Sequence, residues 1–288
     1  MRILLSISLV FLVALLVLAP PAFGQAARGG GQRGAQAPSP TANLPFDLKD
    51  ISGNWFRTTG TQTFSSVPGA PGAPQGGWPE APFTPAGKAQ FDKNFPGYGP
   101  RSSPARRNDP MGTCDPLGVP RIVNAEVGSS HDWWKLVVTP TAVLQFVEWH
   151  HDYRTIYTDG RALPKPEVYL DEPHWNGYSI GHWDGNTFVV DSIGFDDRTW
   201  LDKFGYPHTE NMKLQERYRR IDHDTLELTM TLTDPEFYTR PWESDRKLFK
   251  LDGFPFPKPW DNQIYCVPSE EYKFNNLIRD NASRDVIK

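Results

Sequence analysis

Residues 225–233, TLELTMTLT, alternate without a break between apolar and polar side chains. A period of two is the mark of a β-strand with one face in a core and the other toward water. Leu226, Leu228, Met230 and Leu232 make the buried row, and Glu227, Thr229 and Thr231 face out. Met212 to Ile221 precedes this strand across Asp222-His223-Asp224, so the two form a hairpin. Tyr178 to Trp183, Asp184-Gly185-Asn186 and Thr187 to Ile193 form another. Further strands are expected at Lys135 to Thr139, Ala142 to His150, Arg154 to Thr158, Lys247 to Leu251 and Ile264 to Val267, and an early one through FDLKDISGNWF (Leu48, Ile51, Trp55, Phe56). Such a series fits a mainly β fold, an antiparallel barrel or sandwich, and closure into a barrel leaves no edge exposed. Short helices are expected from Pro85 to about Lys93, capped by Thr84, and from Ser269 to about Arg279.

The N-terminus reads as an address. Arg2, the apolar run Ile3 to Ala19, Pro20-Pro21 and the small residues of Ala22-Phe23-Gly24 predict a secretory signal peptide over 1–24. A flexible Gly/Ala/Gln/Pro leader over 25–44 and one domain over 45–288 follow, with no membrane span in the mature chain. Export to a secreted or periplasmic location gives Cys114 and Cys266 their meaning: in an oxidising compartment they are expected to pair, with two separate buried thiols as the alternative. The bridge would close a loop of about 150 residues, worth near 5 kcal/mol by chain entropy. Between Pro68 and Pro120 the chain is dense in Pro and Gly, yet Trp78, Phe83, Phe91, Phe95 and Tyr98 interrupt it. Disordered tracts are poor in aromatics, so this is expected to be an ordered wrap that reaches the barrel mouth.

A net charge of -4, from 30 basic and 34 acidic residues, argues against nucleic acid and anionic membrane surfaces as partners. There is no Gly-rich phosphate loop, no G-x-S-x-G and no H-E-x-x-H, so no cofactor is called for. Ten tryptophans are core pieces or stacking platforms for a ring-shaped ligand.

Strand phase supplies the candidate chemistry. Met212, Leu214, Glu216 and Tyr218 share a face; Leu144, Phe146, Glu148 and His150 share another; Asp191 goes with Val189 and Ile193. Inward-facing carboxylates are costly without partners, for which Arg154, Arg161 and Arg217 are available. Two outcomes stay open: a buried ion-pair network that fixes register, or a polar cluster with Glu148 or His150 as acid or base and Asp191 and Glu216 tuning it. Asp196, Trp200 and His208 lie in the loop between two hairpins, where they face a ligand at the mouth or serve as turn chemistry. Glu148, His150, His151 and Asp152 are metal-capable types, but adjacent histidines of a strand point to opposite faces, and no metal site is expected.

The segments SIGHWDGNTFVVDSIGFDDRTWLD and GYPHTENMKLQERYRRIDHDTLELTMTLTDPEFYTRPW, with DPLGVPR after Cys114 and IYTDGR at 156–161, resemble a widespread family of exported bacterial proteins without an assigned activity. The resemblance implies a bacterial exported protein and no site residues. Gly53-Asn54-Trp55 is similar to the G-x-W that opens lipocalin-type barrels, where the Trp closes one end. The functional expectation is therefore a metal-independent acid–base enzyme (lyase, isomerase or hydrolase) acting on a sugar derivative or aromatic compound in a barrel cavity, with Arg154 and Arg161 as anion holders. Its rival is a non-catalytic carrier of an apolar or aromatic small molecule, in which the acids are sealed in salt bridges.

Overall fold

The alternating segments pair in sequence order. A computed structural model describes residues 44–59, 64–65, 81–97, 99, 101–124, 133–251 and 265–274, all within one compact unit spanning Pro38–Lys288. The expected signal peptide and leader up to residue 43 lie outside the described residues, as do Trp78, Tyr98 and Ile264. The strands are β1 (Gly53–Thr59), β2 (Trp133–Val138), β3 (Ala142–Val147), β4 (Tyr153–Tyr157), β5 (Tyr178–Asp184), β6 (Thr187–Ile193), β7 (Lys213–Asp222), β8 (Thr225–Thr233), β9 (Trp242–Glu243) and β10 (Lys247–Leu251). Each of β1 to β8 pairs with the next, β8 pairs with β10 and β10 with β1, so nine strands close a barrel, and β9 pairs with the same edge of β8 as β10, one residue out of its register. This is the lipocalin-like barrel expected, with one departure: β4 and β5 run parallel. A parallel neighbour needs a long crossover. The segment 158–177, with its prolines at 164, 166 and 173 and a short helix at Pro166–Tyr169, supplies it. Residues 265–267 carry no strand, contrary to expectation.

The barrel is filled. Trp55 and Arg57 of β1, Trp134 and Leu136 of β2, Phe188 and Val190 of β6, and Lys247 and Phe249 of β10 all bury their side chains, as do the four apolar residues of β8. Trp134 packs on Phe249 with ring centroids 4.6 Å apart and meets Tyr218 edge-on at 6.1 Å. Trp55 is fully buried, its indole N–H donates to Ile51 O at 2.9 Å, and the Arg220 guanidinium lies 5.6 Å over its ring.

The Pro/Gly-rich stretch is ordered where it is described. Its helix α1 (Pro85–Lys93) starts as expected, with Thr84 Oγ1 accepting from Gly87 N at 3.1 Å and Pro at the first helical position. Phe83 and Phe91 then stack against Tyr206 and Tyr238 at 4.7 to 6.0 Å, extending the aromatic core. Cys114 and Cys266 form a disulfide that ties the helix at Pro268–Phe274 to the turn at Pro110–Thr113. The expected closing helix is seen only to Phe274, where the described residues end. A disulfide suggests that the chain folds in an oxidising environment.

Candidate functional site

Arg154 on β4 and Glu216 on β7 meet across the lumen as a two-pronged ion pair, Nη1 to Oε2 and Nη2 to Oε1, both 2.7 Å. Arg154 Nε donates to Gln145 Oε1 at 2.7 Å, and the Tyr218 hydroxyl donates to Glu216 Oε1 at 2.7 Å. The charged side chains are 2% and 0% exposed. Burial works against the charge on Arg154, but Glu216 and Tyr218 outweigh it and hold the guanidinium above its ordinary pKa. Burial and the Glu216 carboxylate push the Tyr218 phenol well above its usual range. Glu216 thus faces inward as its strand phase requires, and an arginine seals it.

The other candidate acids and the imidazole do not join it. β3 ends at Val147 rather than His150: Glu148 has helical angles (φ -67°, ψ -38°), and His150 and His151 both have positive φ, closing a tight turn in which Val147 N donates to Asp152 O at 2.8 Å. Strand alternation therefore does not reach Glu148 or His150. Within β3 the phase is also reversed: Val143, Gln145 and Val147 are buried, while Leu144 and Phe146 are half-buried on the outside. The reason is Gln145, the cross-strand partner of Arg154, whose amide oxygen the guanidinium needs. Glu148 is buried beside Arg121 and Trp149, against a void of about 10 Å³. His150 Nε2 accepts from Cys266 N at 3.0 Å, and burial lowers its pKa, so the ring is neutral and fastens the disulfide segment. Asp191 faces outward, where its Oδ1 accepts from Gln215 Nε2 at 3.0 Å; the inward position on β6 goes to Ser192, paired with Ser179 at 2.8 Å. A hydroxyl pair costs far less to bury than a lone carboxylate.

The loop 194–209 forms a buried plug, so Trp200 and His208 do not face a ligand at a mouth: Trp200 and His208 are 5% and 1% exposed. His208 Nδ1 donates to Thr209 O at 3.0 Å, its Nε2 sits 2.6 Å from Thr199 Oγ1, and burial holds its pKa down. Asp196 grips Arg198 with two contacts of 2.8 and 2.6 Å. In the same plug Asp202 is fully buried and accepts from Phe64 N and Phe204 N at 2.8 and 2.9 Å. Burial pushes its carboxyl up to about 6 against the pull of those N–H groups, Arg121 and Lys247. Lys247, fully buried with Asp245 Oδ1 at 2.6 Å, is pushed down to about 7 by burial and by Arg57. These two groups titrate near neutrality, but both are closed to solvent.

The accessible site lies on the barrel wall. β4 and β5 pair only at Ile156↔Ser179 and Tyr157↔Ile180, so the edges at Tyr153–Thr155 and Trp175–Tyr178 splay apart. The gap is an open cleft of about 720 Å³, lined by Tyr153, Tyr157, Trp175, Tyr178, His174 and Asn176, with Arg154 among its lining residues. Tyr153 and Tyr157 are 58% and 38% exposed. Asn176 Nδ2 latches one end, donating to Asp152 Oδ2 at 3.0 Å and Tyr153 O at 3.3 Å. Gly177 follows with φ +64°, and a Cβ there would strike the Phe195 ring at 2.7 Å, so the approach of Tyr178 to the seam requires glycine. His174 stacks on Tyr178 with centroids 4.2 Å apart, while the Arg198 held by Asp196 lies 4.1 Å over the Trp175 ring. Asp196 therefore acts behind the cleft wall, as the anchor of an arginine that steadies Trp175. Arg161 sits on the rim, 3.6 Å over the Tyr157 ring and paired with Asp159 at 2.6 Å.

Comparison with protein-family models, with curated proteins and with solved structures finds no match.

Of the residues expected to bind, only Arg154 and Arg161 line the cleft. Its aromatic walls sit in the outward phase of YRTIYT and in the crossover, not in the buried rows where strand phase places the candidate chemistry. The available signal was aromatic: Tyr153 and Tyr157 alternate with the inward Arg154 and Ile156, an arrangement that leaves two large rings in water.

Two consequences are measurable. Arg154→Met strands a buried carboxylate and should cost about 3–5 kcal/mol in urea unfolding, whereas Arg154→Met with Glu216→Leu should recover most of that loss. Asp202 has a folded pKa above its ordinary 3.8, so protonation favours the fold. Its contribution is complete below 3.8 and is lost as pH rises through about 6. The infrared band of a protonated carboxyl should accordingly vanish with a midpoint near pH 6 in the parent and be missing from Asp202→Asn.

Proposed function

We propose that this protein is an exported, non-catalytic carrier that binds a small ring-containing molecule in the cleft at the β4/β5 seam. The observation that carries the reading is a set of rings, the exposed Tyr153 and Tyr157 and the half-buried Trp175 and Tyr178, converging on one open cavity whose volume is in the range typical of small-molecule sites, about 300–1,000 Å³. Aromatic faces left in water are costly for solubility and useful for stacking on a flat ligand. His174 and Arg161 supply hydrogen-bonding groups at the periphery, which orient rather than transform what binds. The acid–base reading has less to stand on: Glu216 is neutralised by Arg154, Asp191 is on the outer wall, and His150 is spent on the Cys266 backbone. Export is supported by the apolar leader with its small-residue cleavage site and by the disulfide. It agrees with the resemblance of the 178–242 region to exported bacterial proteins.

The test is a panel of monosaccharides and single-ring aromatic compounds scored by thermal shift, tryptophan fluorescence and product analysis. At least one compound should raise the melting temperature with no product formed, and Trp175→Ala or Tyr157→Ala should weaken it about tenfold or more, the loss of one stacked ring. Turnover that disappears in Glu216→Gln would instead restore the enzyme, and binding indifferent to both aromatic changes would remove the seam.

A further inference from the structure

The seam cleft does not end at β5. A second open groove of about 420 Å³ runs along the outer wall over β6, β7 and β8, and it shares Leu163 and Ile180 with the first. The ladder pairings explain the continuity. Tyr157 on β4 faces Ile180 on β5, Ile180 faces Asp191 on β6, Asp191 faces Gln215 on β7, and Gln215 faces Thr231 on β8. These five positions form one row across five strands. At about 4.8 Å between neighbouring strands, the row is roughly 19 Å long. That is several times the width of one sugar or benzene ring.

The character of the row changes along its length. Its Tyr157 end is an aromatic platform. Its middle is a side-chain pair, the Asp191 carboxylate accepting from the Gln215 amide at 3.0 Å, which leaves an acceptor oxygen and a donor N–H for a ligand. Its far end is the Thr231 hydroxyl, flanked by Thr233 and the exposed Lys213. An apolar chain laid here would cover the Asp191 and Gln215 groups without replacing their water, at a cost for each. A pyranose matches both halves: its C–H faces lie flat on an aromatic ring, and its rim hydroxyls both donate and accept.

We infer that the groove holds a linear oligosaccharide, one ring stacked at the Tyr157 and Trp175 end and further rings crossing β6 to β8 over Asp191, Gln215 and Thr231. The inference rests on the seam cleft being the ligand site and adds the ligand's class and extent. Asp191, placed by strand phase among the catalytic candidates, becomes a ligand-orienting residue on the outer face. The contribution of Gln215 and Thr231 follows from register alone.

The experiment is isothermal titration of the full chain with glucose, N-acetylglucosamine and galacturonic acid, each as monomer, dimer and tetramer, next to a proline-rich peptide and the single-ring aromatic compounds. In at least one series the tetramer should bind about tenfold tighter than the monomer. Asp191→Ala with Gln215→Ala should abolish that gain and leave monomer affinity unchanged, and Tyr157→Ala should weaken monomer and tetramer alike. Thr231→Trp, an outward-facing change that obstructs the groove without emptying a core position, should reproduce the loss if the double variant is unstable. Affinity that does not grow with chain length, a gain that survives these variants, or a preference for the peptide would overturn the oligosaccharide while sparing the seam. If no ring compound binds at all, the seam reading fails and takes the oligosaccharide with it.

Discussion

The Arg154–Glu216 pair is the interaction on which the rest of the barrel is arranged. Two opposite charges in a closed lumen are tolerable only when they are paired and hydrogen-bonded, and here Gln145 and Tyr218 add hydrogen bonds to the ion pair. That requirement fixes the pleat phase of β3, β4 and β7 together. It places Gln145 rather than Leu144 inward and turns Tyr153 and Tyr157 outward on either side of Arg154. The exposed aromatic wall is thus the other face of the internal salt bridge: the phase that buries the guanidinium presents the rings.

The same reasoning explains why the binding site lies on the wall. Trp55, Trp134, Tyr218 and Phe249 occupy the volume where a lipocalin-like barrel could hold a ligand. The plug at 194–209 buries Asp196, Trp200, Asp202 and His208. An opening is left where the ladder fails, at the short parallel pairing of β4 with β5 after a proline-rich crossover. Loop geometry behind that gap, with Arg198 over Trp175 and Gly177 at positive φ, holds its aromatic side chains in place.

Much of the fold was legible in the sequence. Strands β6, β8 and β10, the hairpin turn at Gly185-Asn186, the Thr84-capped helix and the Cys114–Cys266 bridge fall where period, turn chemistry and export logic put them. The site was far less so. On β7 one row is apolar and the other charged, so phase was readable and Glu216 was placed correctly. On β3 and β6 both rows carry apolar residues, so alternation could not choose, and the choice was made by partners remote in sequence: Arg154 for Gln145, Ser179 for Ser192. The turn after Val147 depends on two consecutive left-handed residues, His150 and His151, which no periodicity announces. The parallel seam is a matter of topology, and so the cleft was beyond reach of a strand-by-strand reading.

The central claim, that the lumen is a packed core and the ligand site is on its wall, is tested most directly by the indole N–H resonances of the tryptophans. Titration with the tightest-binding ring compound should shift the Trp175 indole signal and leave those of Trp55 and Trp134 in place. Shifts at Trp55 and Trp134 with Trp175 unmoved would mean that the barrel opens to hold its ligand inside, and would contradict the account.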